Sequence, residues 1–279
     1  MKSKKYKSII NSIIKNALKE DIQSGDLTSL SIFKDSDICN AQLIAKQDGI
    51  IAGLAVFKKT FKLLDANIKV KLLFEDGQTC KSKDVIAEIT GSVIGVLGAE
   101  RVALNLLQRM SGIATLTNQF LKLCENRCQV LDTRKTAPNL RILDKWAVKL
   151  GGGTNHRTGL YDMALIKENH IKAAGGIKRA VDKVLAHDKH QHPIEVEVTN
   201  LDELAQALRC NIDRIMLDNM DNETMIKAVK ITSGKIDLEA SGNVNLSTIS
   251  DISKTGVDYI SIGALTHSVS ALDFSLLIK

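Results

Sequence analysis

This chain of 279 residues has no apolar run near the roughly 18 residues needed to cross a bilayer, which speaks against a membrane-spanning helix. Its basic start, MKSKKYKSIINSIIKNALKE, lacks the apolar core and small-residue cleavage site of a secretory signal, and reads instead as an amphipathic surface helix with Ile9, Ile10, Ile13, Ile14 and Leu18 on one face. Aromatic residues make up only 4% and are not interleaved with basic ones, so the net charge of +6 comes without the stacking platform of a nucleic-acid binder. The five cysteines (Cys39, Cys80, Cys124, Cys128, Cys210) are odd in number, scattered and without a C-x-x-C pair. They read as reduced thiols of a cytoplasmic protein. There are only two prolines, Pro138 and Pro193, no low-complexity linker and no long internal repeat. Gly91, Gly95 and Gly98 do not fit G-x-G-x-x-G, and no P-loop is present.

What is there is an alternation. Short apolar runs end in charged or small polar residues: QVLD (129–132), MALIKE (163–168), IEVEV (194–198), RIMLD (214–218), IDLEAS (236–241) and YISIG (259–263). Helix-like stretches separate the later ones, at 177–186, 201–208, 222–231 and 246–255. Buried strands alternating with helices are parallel βα units, and repeats this short suit an α/β barrel, incomplete at six or seven strands. The N-terminal part differs. Strand-like runs of period two at 41–46, 68–73 and 85–89 lead to a long helical region over 99–124, with a break expected near Gly112. The division is placed at 1–109 for an N-terminal α/β sandwich domain and 110–269 for the barrel, with the tail 270–279 packing back on the first.

In such a barrel chemistry sits at the C-terminal ends of the strands, which here carry Asp132, Lys167, Glu197, Asp218, Glu239–Ser241 and Gly263. Arg134–Lys135, His156–Arg157 and Lys167 form a cationic set around the glycine turn Gly151–Gly153, as a small, highly negative substrate requires. Like charges so gathered repel unless an anion fills the space. Glu197 and Asp218 end neighbouring strands, and read either as salt-bridge partners or as a Mg²⁺ site shared with substrate phosphates. Ser241-Gly242-Asn243 and Gly263-Ala264 follow the last two strands, where barrels commonly bind phosphate. His187, His190 and His192 precede a strand, at the opposite face, and read as a solvated loop.

GDLTS, ERVALNLLQRMSGIAT, DTRKTAPNLRILDKWAVKLGGGTNHRTGLYDMALIKENHI, EVEV, IMLDNM, EASGN and GVDYISIGALTHS together resemble the quinolinate phosphoribosyltransferase family, from about Glu20 to Asp273. The resemblance implies transfer of a phosphoribosyl group from 5-phosphoribosyl 1-diphosphate to quinolinate with loss of diphosphate and CO₂, giving nicotinate mononucleotide on the way to NAD. It implies Mg²⁺ as the cofactor, and a homodimer or higher assembly, up to a hexamer of dimers, with shared active sites. On that pattern Arg101 reaches the partner's quinolinate, and Arg134, His156, Arg157 and Lys167 surround the quinolinate carboxylates. Thr133 and Lys135 lie with the substrates, Lys135 near the phosphoribosyl donor. Glu197 and Asp218 address the ribose hydroxyls and Mg²⁺–diphosphate, while Ser241, Gly242 and Asn243 with Ile262, Gly263 and Ala264 hold the 5′-phosphate. Lys135, Lys167, Glu197 and Asp218 are the residues it implies to be catalytic.

Three rivals compete. The nearest is a phosphoribosyltransferase of the same fold with another acceptor, such as nicotinate, or a paralogue tied to metal transport; nicotinate, with one carboxylate, would not need all of Arg101, Arg134, Arg157 and Lys167. A basic nucleic-acid-binding protein leaves Glu197 and Asp218 unexplained. An aldolase with Lys167 as Schiff base gives the paired arginines no role.

Overall fold

The computed structural model describes residues 4–189 and 191–279. In chain order the N-terminal part forms α1 (Lys4–Ile22), α2 (Leu27–Ile32), β1 (Ile38–Ala45), β2 (Gly49–Ile50), α3 (Leu54–Leu64), β3 (Lys69–Leu72), β4 (Thr79–Cys80) and β5 (Val85–Ser92), then the long α4 (Val93–Cys124). Next come β6 (Gln129–Leu131), α5 (Arg141–Leu150), β7 (Ala164–Ile166), α6 (Glu168–Ala174) and α7 (Ile177–Asp188). The series continues with β8 (Ile194–Val198), α8 (Leu201–Ala207), β9 (Arg214–Asp218), α9 (Asn222–Thr232), β10 (Asp237–Ser241), α10 (Ile249–Ser253), β11 (Tyr259–Ser261), α11 (Ala264–His267) and β12 (Phe274–Ile278). Contacts group the chain into two compact units. One takes the residues through Asn118 with 136–152 and 268–279; the other takes 119–135 and 153–267.

The first unit is built on an antiparallel sheet in the order β12-β1-β5-β3. Period-two patterning makes it: Cys39, Ala41, Leu43 and Ala45 of β1 are buried while the residues between them are more exposed. Phe57 and Phe61 of α3, both fully buried and edge to face at 5.0 Å, belong to the same core. The expected break at Gly112 does not occur, and α4 runs unbroken from Val93 to Cys124. A Cβ at Gly112 would lie 2.1 Å from the Ser270 carbonyl oxygen, so the glycine serves a close crossing of backbones rather than a bend. Gly151 is similar. It ends α5, and a Cβ there would meet the Ala114 carbonyl at 2.4 Å. The glycine turn 151–153 therefore fits a helix end against α4, and none of its residues lines the cavity described below. Arg109 grips the buried carboxylate of Asp144 with two hydrogen bonds of 2.8 Å, fastening α5 to α4.

The second unit is a six-stranded parallel sheet in the order β6-β11-β10-β9-β8-β7. Thr154 adds a parallel bridge to Leu131 on the far side of β6. The ring thus joins its last strand to its first and is interrupted between Thr154 and β7, which makes it an incomplete α/β barrel. Ile215, Leu217, Leu238, Ala240 and Ile260 are all buried. The alternate residues, Glu195, Glu197, Arg214, Met216, Asp218, Glu239, Ser241 and Ser261, share the opposite face, and that face is polar. Every strand expected from the sequence in this half is present. The helix expected over 246–255 is shorter, reduced to Ile249–Ser253. In the histidine loop His192 Nδ1 lies 2.8 Å from Asp188, and His190 lies outside the described residues.

Candidate active site

The polar face opens at the C-terminal ends of the strands into a cavity of about 810 Å³, within the size range of small-molecule sites. Thr133, Arg134, Lys135, His156, Arg157, Lys167, Glu197, Asp218, Ser241, Gly242, Asn243, Gly263 and Ala264 all line it, so the strand-end set is brought together. Leu165 and Met216 add apolar surface to its wall, suited to the face of an aromatic ring. Two residues of the expected set are absent from the lining. Ile262 is 1% exposed and its N–H is donated to the Leu131 carbonyl, so it holds β11 to β6. Arg101 is exposed on α4 in the other unit. Asp132, read as a cavity residue, is fully buried; its carboxylate accepts the His156 N–H at 2.9 Å and the side-chain amide of Asn155. It positions the His156–Arg157 loop and does not line the cavity.

The cations occupy one side. Arg157 donates to the Met163 carbonyl at 3.2 Å, and its pKa is lowered by burial and then by the like charge of Arg134. Lys167 reaches Glu197 at 2.9 Å. Lys135 is fixed from its backbone, with its N–H on Thr133 Oγ1 (3.0 Å) and its carbonyl accepting from Thr266 Oγ1 (2.9 Å). Gly263 lets it lie close, since a Cβ there would sit 3.2 Å from the lysine Cδ. Among the described residues that line the cavity, Arg134, Lys135, Arg157 and Lys167 stand with the carboxylates Glu197 and Asp218, outside the network described next, an excess of two positive charges in the lining; Asp162, outside the lining, also acts on Arg157.

Beneath them lies a network that sequence reasoning missed. Glu195 and Glu239 are both fully buried, and His156 Nε2 stands 2.9 Å from one carboxylate and 3.3 Å from the other. Arg214 adds an ion pair to Glu239 at 3.2 Å and lies 3.9 Å above the Tyr259 ring. Burial alone would lower the His156 pKa, but the two carboxylates outweigh it and raise the value to about 9. The Arg157 N–H aimed at Nδ1 (2.7 Å) opposes a second ring proton, yet one amide dipole is weaker than two formal charges. Charged His156 and Arg214 then balance Glu195 and Glu239. The same three residues, His156, Glu195 and Glu239, have ligand atoms within 4.8 Å of one another as a metal centre would, but the ion pairs already account for them. The signal was present in IEVEV: a glutamate two residues before Glu197 in a buried strand must share its face.

Glu197 and Asp218 form the other acidic pair. The Asp218 carboxyl pKa is raised by burial and by the neighbouring charge of Glu197. A divalent cation relieves such repulsion, and hard oxygen donors beside open cavity space fit Mg²⁺.

Two family descriptions match the chain: "Quinolinate phosphoribosyl transferase, N-terminal domain" over residues 26–111 and "Quinolinate phosphoribosyl transferase, C-terminal domain" over 113–277. A quinolinate phosphoribosyltransferase (decarboxylating) 2b, mitochondrial, of Nicotiana tabacum is 43% identical over 286 residues, covering 96% of this chain and 81% of the relative. The structure of the nicotinate-nucleotide pyrophosphorylase from Francisella tularensis superposes with a TM-score of 0.94 at 43% identity, over 98% of this chain and 96% of that one. NadC from Streptococcus pyogenes superposes with a TM-score of 0.93 at 41% identity, over 97% of each chain. With both domains matched and the strand-end set gathered in one cavity, the chain belongs to the quinolinate phosphoribosyltransferase family.

Proposed function

We propose that this protein transfers the phosphoribosyl group of 5-phosphoribosyl 1-diphosphate to quinolinate with decarboxylation, giving nicotinate mononucleotide, diphosphate and CO₂ for NAD biosynthesis. The observation that carries the reading is the surplus of fixed cations, Arg134, Lys135, Arg157 and Lys167, around a single cavity. Quinolinate brings two carboxylates and the donor brings several phosphate charges. Arg134, Arg157 and Lys167 take the carboxylates, each charge-assisted hydrogen bond contributing about 1.5–3 kcal/mol net. Leu165 and Met216 hold the ring face, while Lys135 and the Ser241–Asn243 and Gly263–Ala264 loops take the donor.

Glu197 and Asp218 would hold Mg²⁺, which when bound neutralises the departing diphosphate. The two carboxylates also face the ribose, where they favour the positive charge that develops as diphosphate leaves. The pyridine nitrogen then forms the new C–N bond. The resulting cationic nitrogen stabilises the electron pair left on the adjacent ring carbon when CO₂ departs, and that carbon then takes up one proton to complete nicotinate mononucleotide. Positioning and electrostatics are the protein's contribution. In a cytoplasmic homodimer, Arg101 of each chain would complete the neighbour's acceptor site; its exposure on α4 fits that use.

Calorimetric titration with quinolinate and with nicotinate tests the acceptor. Quinolinate should bind at least about tenfold tighter, the equivalent of one charged contact. Arg157→Met should remove most of that preference. Equal affinities in the unaltered protein would sink the dicarboxylate reading.

A further inference from the structure

Past the end of β9 the chain places Asn219 in the left-handed region, φ 54°, where asparagine is among the few non-glycine residues at ease. Its N–H is donated to the Ser241 carbonyl at 2.8 Å, extending the β9–β10 ladder one step beyond the Asp218–Ser241 pair. The side chain is used at both ends. Nδ2 donates to Asp218 Oδ2 at 2.7 Å, and Oδ1 accepts from Asn243 Nδ2 at 3.2 Å. The carboxylate can only accept, so it fixes which way the Asn219 amide faces, and that amide in turn fixes Asn243.

The loop is shaped around this amide. Gly242 has φ 102°, and a Cβ there would fall 2.1 Å from Asn219 Oδ1, so only glycine lets the loop close over it. Asn243 is left-handed as well, φ 53°. Three left-handed residues thus meet at two adjacent strand ends, each of a type that this backbone region accepts. Asn219 is itself exposed and borders the large cavity. Both ends of its amide are engaged, one as donor and one as acceptor, by residues that line the same cavity.

We infer that Asn219 is a positioning residue that ties the Asp218 carboxylate to the Gly242–Asn243 loop, so that the two ends of the phosphoribosyl donor are received at a fixed spacing. The inference rests on the proposed assignment of Asp218 to the ribose and diphosphate end and of the loop to the 5′-phosphate. A role confined to closing the turn would change stability without favouring one substrate over the other.

Two variants separate these roles. Asn219→Gly keeps the left-handed backbone at no steric cost and removes the amide. Asn219→Asp keeps the shape and sets a carboxylate against Asp218. Dissociation constants for 5-phosphoribosyl 1-diphosphate with Mg²⁺, and separately for quinolinate, are measured by calorimetry on each full-length protein, with melting temperatures alongside. The donor constant should rise about tenfold in the glycine variant, as loss of a hydrogen bond to a charged group implies, and further in the aspartate variant. The quinolinate constant should stay within about twofold of its original value. Donor affinity unchanged in both variants, or weakened equally with that for quinolinate, overturns the inference. Failure of the unaltered protein to bind the donor overturns instead the reading on which it rests.

Discussion

Glu239→Gln keeps the volume of a fully buried side chain and removes one charge from the network under the cavity. His156 then loses one of the two carboxylates that raise its pKa to about 9. A group raised from an ordinary 6.5 to about 9 contributes roughly 2–3 kcal/mol at pH 7. Because the folded-state value lies above the unfolded one, that contribution is complete below about pH 6.5 and disappears as pH rises through about 9. Removing Glu239 should therefore cost up to about 2–3 kcal/mol at pH 7, a fall in Tm of roughly 5–10 °C. At pH 10 the unaltered protein has a neutral His156 and two buried glutamates with Arg214, and Arg157 acting on Glu195, as their remaining countercharges, whereas the variant has one glutamate with the same arginines. The difference in Tm should shrink or reverse there. Differential scanning fluorimetry of both proteins from pH 6 to pH 10 reads this directly. A Tm difference that stays constant across that range would refute a charged His156 as the partner of the two glutamates.

Gly112→Ala sets a gain in helix propensity of about 1 kcal/mol against a Cβ placed 2.1 Å from the Ser270 carbonyl. Overpacking against backbone, typically about 1–3 kcal/mol, should outweigh that gain and leave a net loss of up to about 2 kcal/mol, so Tm falls; a rise in Tm would mean that the 268–271 segment moves aside freely. Arg101→Ala and Lys135→Ala should each abolish most turnover. Mixing the two inactive proteins under conditions of subunit exchange should restore part of it, and exchange without recovery would count against a site shared between chains.

The strands were legible because each is a short, buried apolar run, and their polar ends because Lys167, Asp218 and Gly263 interrupt those runs abruptly. Glu195 and Arg214 were harder to see. Each sits within or at the start of a run, where apolar neighbours suggest core, and only the period-two rule applied from Glu197 or Asp218 backward puts them on the cavity side. Asp132 misled for the converse reason. It ends its run as the others do, but its carboxylate turns back to the His156 N–H. Gly112 was read from local rules as a break, and Gly151 as part of a turn among the cations, whereas their partners, Ser270 and Ala114, lie far along the chain. Asn219 stood in the IMLDNM motif without a role, because its partners Ser241 and Asn243 come from the next strand and its loop.

The central claim is that the acceptor is a pyridine dicarboxylate that loses CO₂. Purified protein is supplied with Mg²⁺, 5-phosphoribosyl 1-diphosphate and quinolinate carrying a labelled 2-carboxylate, with nicotinate as the parallel acceptor. Release of labelled CO₂ in equal amount to nicotinate mononucleotide, from quinolinate alone, is the predicted result. Nicotinate mononucleotide formed from nicotinate and not from quinolinate would contradict it.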